Sequence, residues 1–233
     1  MVTLRSRRFV FVTGVAGSGT NLLLDLLSSP TFALALGGNY VSPDRPDYEC
    51  SVYFNQINAL TRRLWANEKP RRSETARIKR AINGLPVPED GTHVAYQRSY
   101  PFWAKLHRPR LADVLDLGRS SRIIVLERDL RKCAASILRR NYATTIEEAA
   151  ARVDRAWRTL RDQIARLPSG VSLTIQYDDL VGDQHASTAV IEAHFGYPSG
   201  SLPPYLALVG LPTRESSSVA ETHRTFLDGR FSS

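Results

Sequence analysis

Apolar and polar positions follow two rhythms along this chain, and the changes of rhythm place the elements. Phe9-Val-Phe-Val12 is a short run of β-branched and aromatic residues, the pattern of a strand covered on both faces. Leu22, Leu23, Leu26 and Leu27 then recur at helical spacing. Thr31–Leu36 predicts a second strand ended by Gly37-Gly38, and a polar segment with Asp44, Asp47 and Glu49 follows it. Val52–Ile82 is mostly helical in pattern, Leu85–Gly91 is a loop, and His93–Tyr96 predicts a third strand. Phe102–Leu117 reads as a helix interrupted by Pro109. Arg122–Glu127 is the clearest buried strand, and Asp129 is a good N-cap for a helix through Arg140.

The longest helix spans Thr145 to Leu167 and opens on a capping box of Thr145 and Glu148. Ile146, Ala149, Val153, Trp157, Leu160, Ile164 and Leu167 form its stripe, so Trp157 is core and not a ligand platform. Pro168-Ser-Gly170 stops that helix, and Val171–Gln176 predicts another strand. Asp178-Asp179 then opens a loop, and a last helix through Ala189–Phe195 is closed by Gly196. Strands alternating with helices predict an α/β fold of three layers, α/β/α, around a central parallel sheet. No internal repeat interrupts the alternation, so residues 1–233 are expected to form one domain.

The turn between the first strand and the first helix carries the candidate chemistry. Gly14, Gly17 and Gly19 let the backbone turn tightly and approach a ligand. A helix N-terminus presents unpaired N–H groups and about half a positive charge, which suits a phosphate or a similar anion. Gly14-x4-Gly19 fits the first half of a Walker P-loop, which makes the fold P-loop NTPase-like, but the second half fails. Thr20 and Asn21 stand where that motif needs Lys and then Ser or Thr. The turn is made for phosphate without being made for ATP hydrolysis.

Charge and cysteine usage narrow the partners. The net charge is +8 over 233 residues, and only Lys69, Lys79, Lys105 and Lys132 are lysines among 31 basic residues. Arg offers a planar fork for phosphate or sulfate, although an Arg bias is also compatible with genome composition. Arg62, Arg63, Lys69, Arg71, Arg72, Arg77, Lys79 and Arg80 form either a solvated helical face or a basic lid. Cys50 and Cys133 are far apart and lack metal-ligand spacing. No apolar run approaches a membrane span or a signal h-region, so the expected location is the cytoplasm.

Three separated blocks together resemble the sulfotransferases that use 3′-phosphoadenosine 5′-phosphosulfate (PAPS). Gly14-Val-Ala-Gly-Ser-Gly-Thr-Asn-Leu-Leu23 is similar to the family's 5′-phosphosulfate loop. Arg122-Ile-Ile-Val-Leu-Glu-Arg-Asp-Leu-Arg-Lys-Cys-Ala-Ala-Ser136 is similar to its 3′-phosphate block, in which an Arg and a Ser eight residues later are ligands. Gln176-Tyr-Asp-Asp-Leu-Val-Gly-Asp183 resembles its Tyr-Glu-Asp-Leu segment. The resemblance implies that Gly17, Ser18, Gly19, Thr20 and Asn21 cradle the phosphosulfate. It implies that Arg128 and Ser136 hold the 3′-phosphate and that Tyr177 lies near the adenine. It implies no metal.

Two departures accompany the resemblance. In many relatives a Lys or Arg precedes Ser-Gly-Thr and touches the sulfonate, and here that position is Gly17. Sulfuryl transfer requires positive charge where it builds on the leaving oxygen, so another residue must supply it. Arg98 is the candidate, because Gln97-Arg-Ser-Tyr-Pro101 resembles a Glu-Lys-Thr-Pro type segment of carbohydrate-type relatives. The other departure is Leu130, where Pro is usual after Arg-Asp. A general base is also required. Glu49 leads, since Tyr48-Glu-Cys-Ser-Val-Tyr-Phe54 resembles a Glu followed by aromatics in carbohydrate-type enzymes, and His93 and His107 compete.

The function expected is transfer of the PAPS sulfonate to a hydroxyl, or less readily an amine, of a small metabolite or carbohydrate. The rivals are a P-loop small-molecule or nucleotide kinase and a non-enzymatic anion- or nucleic-acid-binding protein. Nucleic acid is disfavoured as a partner because the Arg62–Arg80 region lacks a patterned set of stacking aromatics. The acceptor and the oligomeric state have no signature in the chain.

Overall fold

The apolar run that opens the chain lies at the middle of a parallel sheet, because both of its faces need cover. The computed structural model describes residues 2–27, 33–35, 60–61, 63–64, 72–87, 93–100, 110–197 and 199–202. Its strands in chain order are β1 (Val2–Thr3), β2 (Arg8–Val15), β3 (Ala33–Ala35), β4 (Pro86–Val87), β5 (His93–Tyr100), β6 (Ser120–Glu127) and β7 (Ser172–Gln176). Its helices are α1 (Thr20–Leu27), α2 (Arg72–Asn83), α3 (Leu130–Arg139), α4 (Ile146–Ile164), α5 (Tyr177–Gly182) and α6 (Gln184–Phe195). Five strands pair in the order β3-β5-β2-β6-β7, all parallel. β1 and β4 form a separate antiparallel pair.

The layers follow from side-chain alternation along the strands. Val10, Val12, Ala95, Ile124 and Leu126 face one side, where Leu23, Leu24 and Leu27 of α1 and Ile191 and Phe195 of α6 cover them. Phe9, Phe11, Val94, Tyr96, Ile123 and Val125 face the other, against Ile78 and Ile82 of α2 and Leu160 of α4. The three-layer α/β/α fold expected from the sequence is the one observed. The chain leaves β2 first toward β3 and β5 and later toward β6 and β7, so β2 flanks the switch point of the sheet. Ligands of open parallel sheets bind there, beyond the carboxyl ends of the strands.

Several boundaries differ from those predicted. β2 and β5 run to Val15 and Tyr100, three and four residues further, because they pair in unbroken register from Arg8↔His93 to Val15↔Tyr100. The helix predicted through Leu117 is, in its described part, a single 3-10 turn over Leu111–Val114. Asp178-Asp179 does not open a loop. Both acids sit in the first turn of α5, where a carboxylate complements the helix dipole. The last helix starts earlier than Ala189 because Asp183 caps it, its side chain accepting from the Ala186 N–H at 3.0 Å. Gly196, in the left-handed conformation, ends it as expected.

The long helix keeps its predicted start. Thr145 Oγ1 accepts from the Glu148 N–H at 3.2 Å, and the Glu148 carboxylate returns to the Thr144 N–H at 2.8 Å. The return bond thus goes one residue upstream of a standard capping box. Trp157 packs among core residues. Arg72, Arg77 and Arg80 of α2 are exposed, and Lys79 Nζ pairs with Asp116 at 2.7 Å. The described part of the basic segment is therefore a solvated face. Phe11 has no exposed surface and touches both the sheet and its helical cover. Phe11→Ala is expected to lower unfolding free energy by about 3–5 kcal/mol, read by chemical denaturation.

Candidate active site

The glycine turn after β2 is clamped between two elements that come from far along the chain. Gly17 and Gly19 both have φ of +92°, which a residue with a side chain rarely adopts. A Cβ on Gly17 would lie 2.9 Å from the Cys133 carbonyl oxygen and 3.1 Å from Ser136 Cβ, both on α3. A Cβ on Gly19 would lie 2.6 Å from Cε2 of Tyr177. The turn is therefore pressed against α3 on one side and the Tyr177 ring on the other. The usual cation before Ser-Gly-Thr is absent because position 17 has neither the backbone angle nor the room for it.

Arg128 ties these pieces together. It stands just past the end of β6, and its Nη1 donates to the Gly17 carbonyl at 3.0 Å. Its guanidinium lies over the Tyr177 ring, 4.1 Å from the centroid, a cation–π contact of about 0.5–2 kcal/mol. The rest of the cradle has unused donors. Ser18 Oγ and Arg128 Nε are buried without a hydrogen-bond partner among the described residues. The Ser18 N–H closes the turn on Val15, and Leu22 and Leu23 donate to the Gly19 carbonyl. Gly19, Thr20 and Asn21 stand at the α1 N-terminus, where N–H groups have no intrahelical acceptor. Buried donors without acceptors at a helix N-terminus fit a bound anion.

Thr20 belongs to a second polar group at this edge. Gln97 Nε2 donates to Thr20 Oγ1 at 2.6 Å and to Ser99 Oγ at 2.9 Å, and the two hydroxyls are 3.0 Å apart. Gln97 and Ser99 were missed as site residues because the predicted strand stopped at Tyr96. With β5 extended, the two-residue alternation places both of them on the α1 side.

The same alternation turns Arg98 to the opposite face. It is 7% exposed, and its Nε donates to Tyr96 Oη at 3.0 Å, which also meets Thr61 Oγ1 at 2.9 Å. His93 is at the far end of β5, with Nδ1 2.8 Å from Tyr197 Oη. Seven residues of strand, roughly 23 Å, separate it from Tyr100, so it is out of reach of the glycine turn. Glu49 and His107 lie outside the described residues. Cys133 is buried under the cradle, and burial pushes its thiol up to about 12, so it is no nucleophile.

The structure thus brings Gly17, Ser18, Gly19, Thr20, Ser136, Arg128 and Tyr177 to one edge of the sheet, with Asn21 in the first turn of α1. Ser136 is 8% exposed and abuts the turn from α3. Tyr177 has one ring face under Arg128 and an edge against Gly19, so it buttresses the cradle itself.

Residues 10–200 match the sulfotransferase family. The chain belongs to that family. Its fold is similar to the sulfotransferase domain from the curacin biosynthetic pathway, at 14% identity and a TM-score of 0.54, over 88% of this chain and 78% of that one. It is likewise similar to a sulfotransferase from Alicyclobacillus acidocaldarius, at 14% identity and a TM-score of 0.53, over 86% of this chain and 85% of that one. No curated protein matches the sequence at a significant level. Sulfuryl transfer is the general chemistry of the family, and no described helix is long and apolar enough to cross a membrane.

The crowding at position 17 is directly testable. Gly17→Lys, which would put the usual cation back, is expected to lower stability by about 1–3 kcal/mol through backbone strain alone. Chemical denaturation reads the change. An unaltered midpoint would show that the turn has room to spare.

Proposed function

We propose that this sulfotransferase-family chain moves the sulfonate of PAPS by in-line displacement to a hydroxyl, or less readily an amine, of a small metabolite or carbohydrate. The observation that carries the reading is a pair of buried donors without a partner among the described residues, Ser18 Oγ and Arg128 Nε, at a glycine turn that has no Walker lysine. PAPS, when bound, supplies an activated sulfonate and leaves as 3′-phosphoadenosine 5′-phosphate (PAP).

The chain's own residues divide the work. The N–H groups at the start of α1, with the hydroxyls of Ser18 and Thr20, hold the 5′-phosphosulfate, and Asn21 flanks them. Arg128 and Ser136 hold the 3′-phosphate, and Tyr177 keeps the Arg128 guanidinium flat and in place. The Gln97 amide keeps the Thr20 hydroxyl oriented and adds a donor at the α1 edge of β5. Arg98 supports the site through Tyr96 and the end of β5, as a positioning residue. Glu49 takes the proton from the acceptor hydroxyl as the oxygen–sulfur bond forms. A metal has no part in these assignments.

Calorimetry with PAP, Mg·ATP and an oligonucleotide separates this reading from its rivals. PAP is expected to bind, and tight binding of Mg·ATP with none of PAP would overturn it. A charge-assisted hydrogen bond is worth roughly 1.5–3 kcal/mol, so Arg128→Gln should weaken PAP by one to two decades. An unchanged dissociation constant would remove Arg128 from the site.

Turnover separates the two β5 residues. Gln97→Ala is expected to slow PAPS consumption about a hundredfold, the scale for losing one oriented donor, with the unfolding midpoint little changed. Arg98→Ala should lower turnover and stability together, because it removes the buried hydrogen bond from Arg98 Nε to Tyr96 Oη. Loss of turnover at full stability in Arg98→Ala would assign the reaction's cation to Arg98 itself.

A further inference from the structure

A second concentration of positive charge lies at the opposite end of the sheet from the glycine turn. Arg8 opens β2, Arg119 precedes β6, and Ser120 and Arg122 lie in its first turn of pleat. With Phe195 of α6 they line a cavity of about 230 Å³. Alternation explains the convergence. Arg8 shares a face with Val10 and Val12, and Arg122 shares a face with Ile124 and Leu126. Both faces turn toward α6. Arg8 and Ser120 are register partners across the β2–β6 pair.

Arginines brought this close in a folded protein usually meet an acid. Here, among the described residues, none of the three forms an ion pair. Arg8 has structural partners. Its Nη1 donates to the Phe195 carbonyl at the end of α6 at 3.2 Å, and its guanidinium lies 5.8 Å from the Tyr197 ring centroid. Among the described residues the Arg122 side chain donates only to the Ser121 carbonyl, at 3.2 Å, and its Nε is buried without a partner. Arg119 is exposed, and its backbone N–H donates to the Arg7 carbonyl. The neighbouring His194 registers the unbalanced field. Burial, and then the Arg122 charge, hold its pKa below the ordinary histidine value, and among the described residues its Nε2 is also buried without a partner.

We propose that this cavity is a second anion site, which takes a phosphate or sulfate group on Arg119, Arg122 and the free face of Arg8. Two or three guanidinium forks around one space suit a tetrahedral oxyanion, whose oxygens accept several donors at once. The cavity volume equals that of about eight liquid waters, enough for the oxyanion and a small organic group against Phe195. The proposal stands apart from the PAPS reading, because the two sites share no residue and lie at opposite ends of the strands.

The test is a titration of the full chain carrying Arg128→Gln, which weakens the cradle at the other end. Inorganic phosphate, inorganic sulfate and phenyl phosphate are each followed by calorimetry. Adding Arg119→Gln, at an exposed position, or Arg122→Gln should weaken phosphate binding about tenfold each, with the near-UV circular dichroism unchanged. Arg122→Lys should retain part of the affinity. Tighter binding of phenyl phosphate than of inorganic phosphate would assign the site to an ester, and the reverse to the free ion. Absence of saturable binding at millimolar phosphate, or binding indifferent to both arginine substitutions in folded protein, would overturn the proposal.

Discussion

Where Gly17 meets α3, backbone lies almost directly on backbone. The turn cannot move away without losing the Arg128 bond to the Gly17 carbonyl, and it cannot move closer. That contact fixes the position of the α1 N-terminus, since only Ser18 and Gly19 separate Gly17 from the helix. It also fixes Arg128, whose guanidinium is trapped between the Gly17 carbonyl and the Tyr177 ring. The glycine turn is thereby held in one arrangement with two stretches that lie more than a hundred residues further along the chain. The sheet supplies the rigid base, because β2 and β6 deliver the turn and Arg128 from adjacent strand ends.

The same contact accounts for the missing cation. A positive residue before Ser-Gly-Thr would need space that α3 occupies, so the charge demanded by sulfuryl transfer has to come from elsewhere. Among the described residues, what stands beside Thr20 on β5 is polar and neutral: the Gln97 amide with the Ser99 hydroxyl. Hydrogen-bond donors fixed before the reaction stabilise developing charge without reorganising, and need not carry a full charge to do so. Arg98 is one residue away in sequence, but a strand turns adjacent side chains to opposite faces.

Much of the fold was legible in the chain because its signals are local. A run such as Phe9–Val12 or Ile123–Leu126 is apolar because it is covered on both sides, and period alone reports that. Caps at Asp129 and Thr145 are likewise local, a side-chain oxygen within reach of a nearby N–H. The Asp178-Asp179 pair was misread because acids mark both loops and first helical turns. The extent of β5 was misread because Gln97-Arg98-Ser99 is polar, and its strand form depends on β2 alongside.

By itself the sequence determined the strand, glycine turn and helix that open the domain, the α/β/α layering and the family resemblance of the Arg128 and Ser136 block. These follow from spacing and composition, which short segments carry within themselves. Only the tertiary structure decided that Gly17 has no room for a side chain and that Tyr177 lies beneath Arg128. It also decided that Gln97 faces Thr20 while Arg98 faces Tyr96, and that Arg8, Arg119 and Arg122 converge with no ion pair among the described residues. Each of these depends on which strand lies beside which and in what register. Register is a property of the paired sheet, set by packing between residues far apart in sequence.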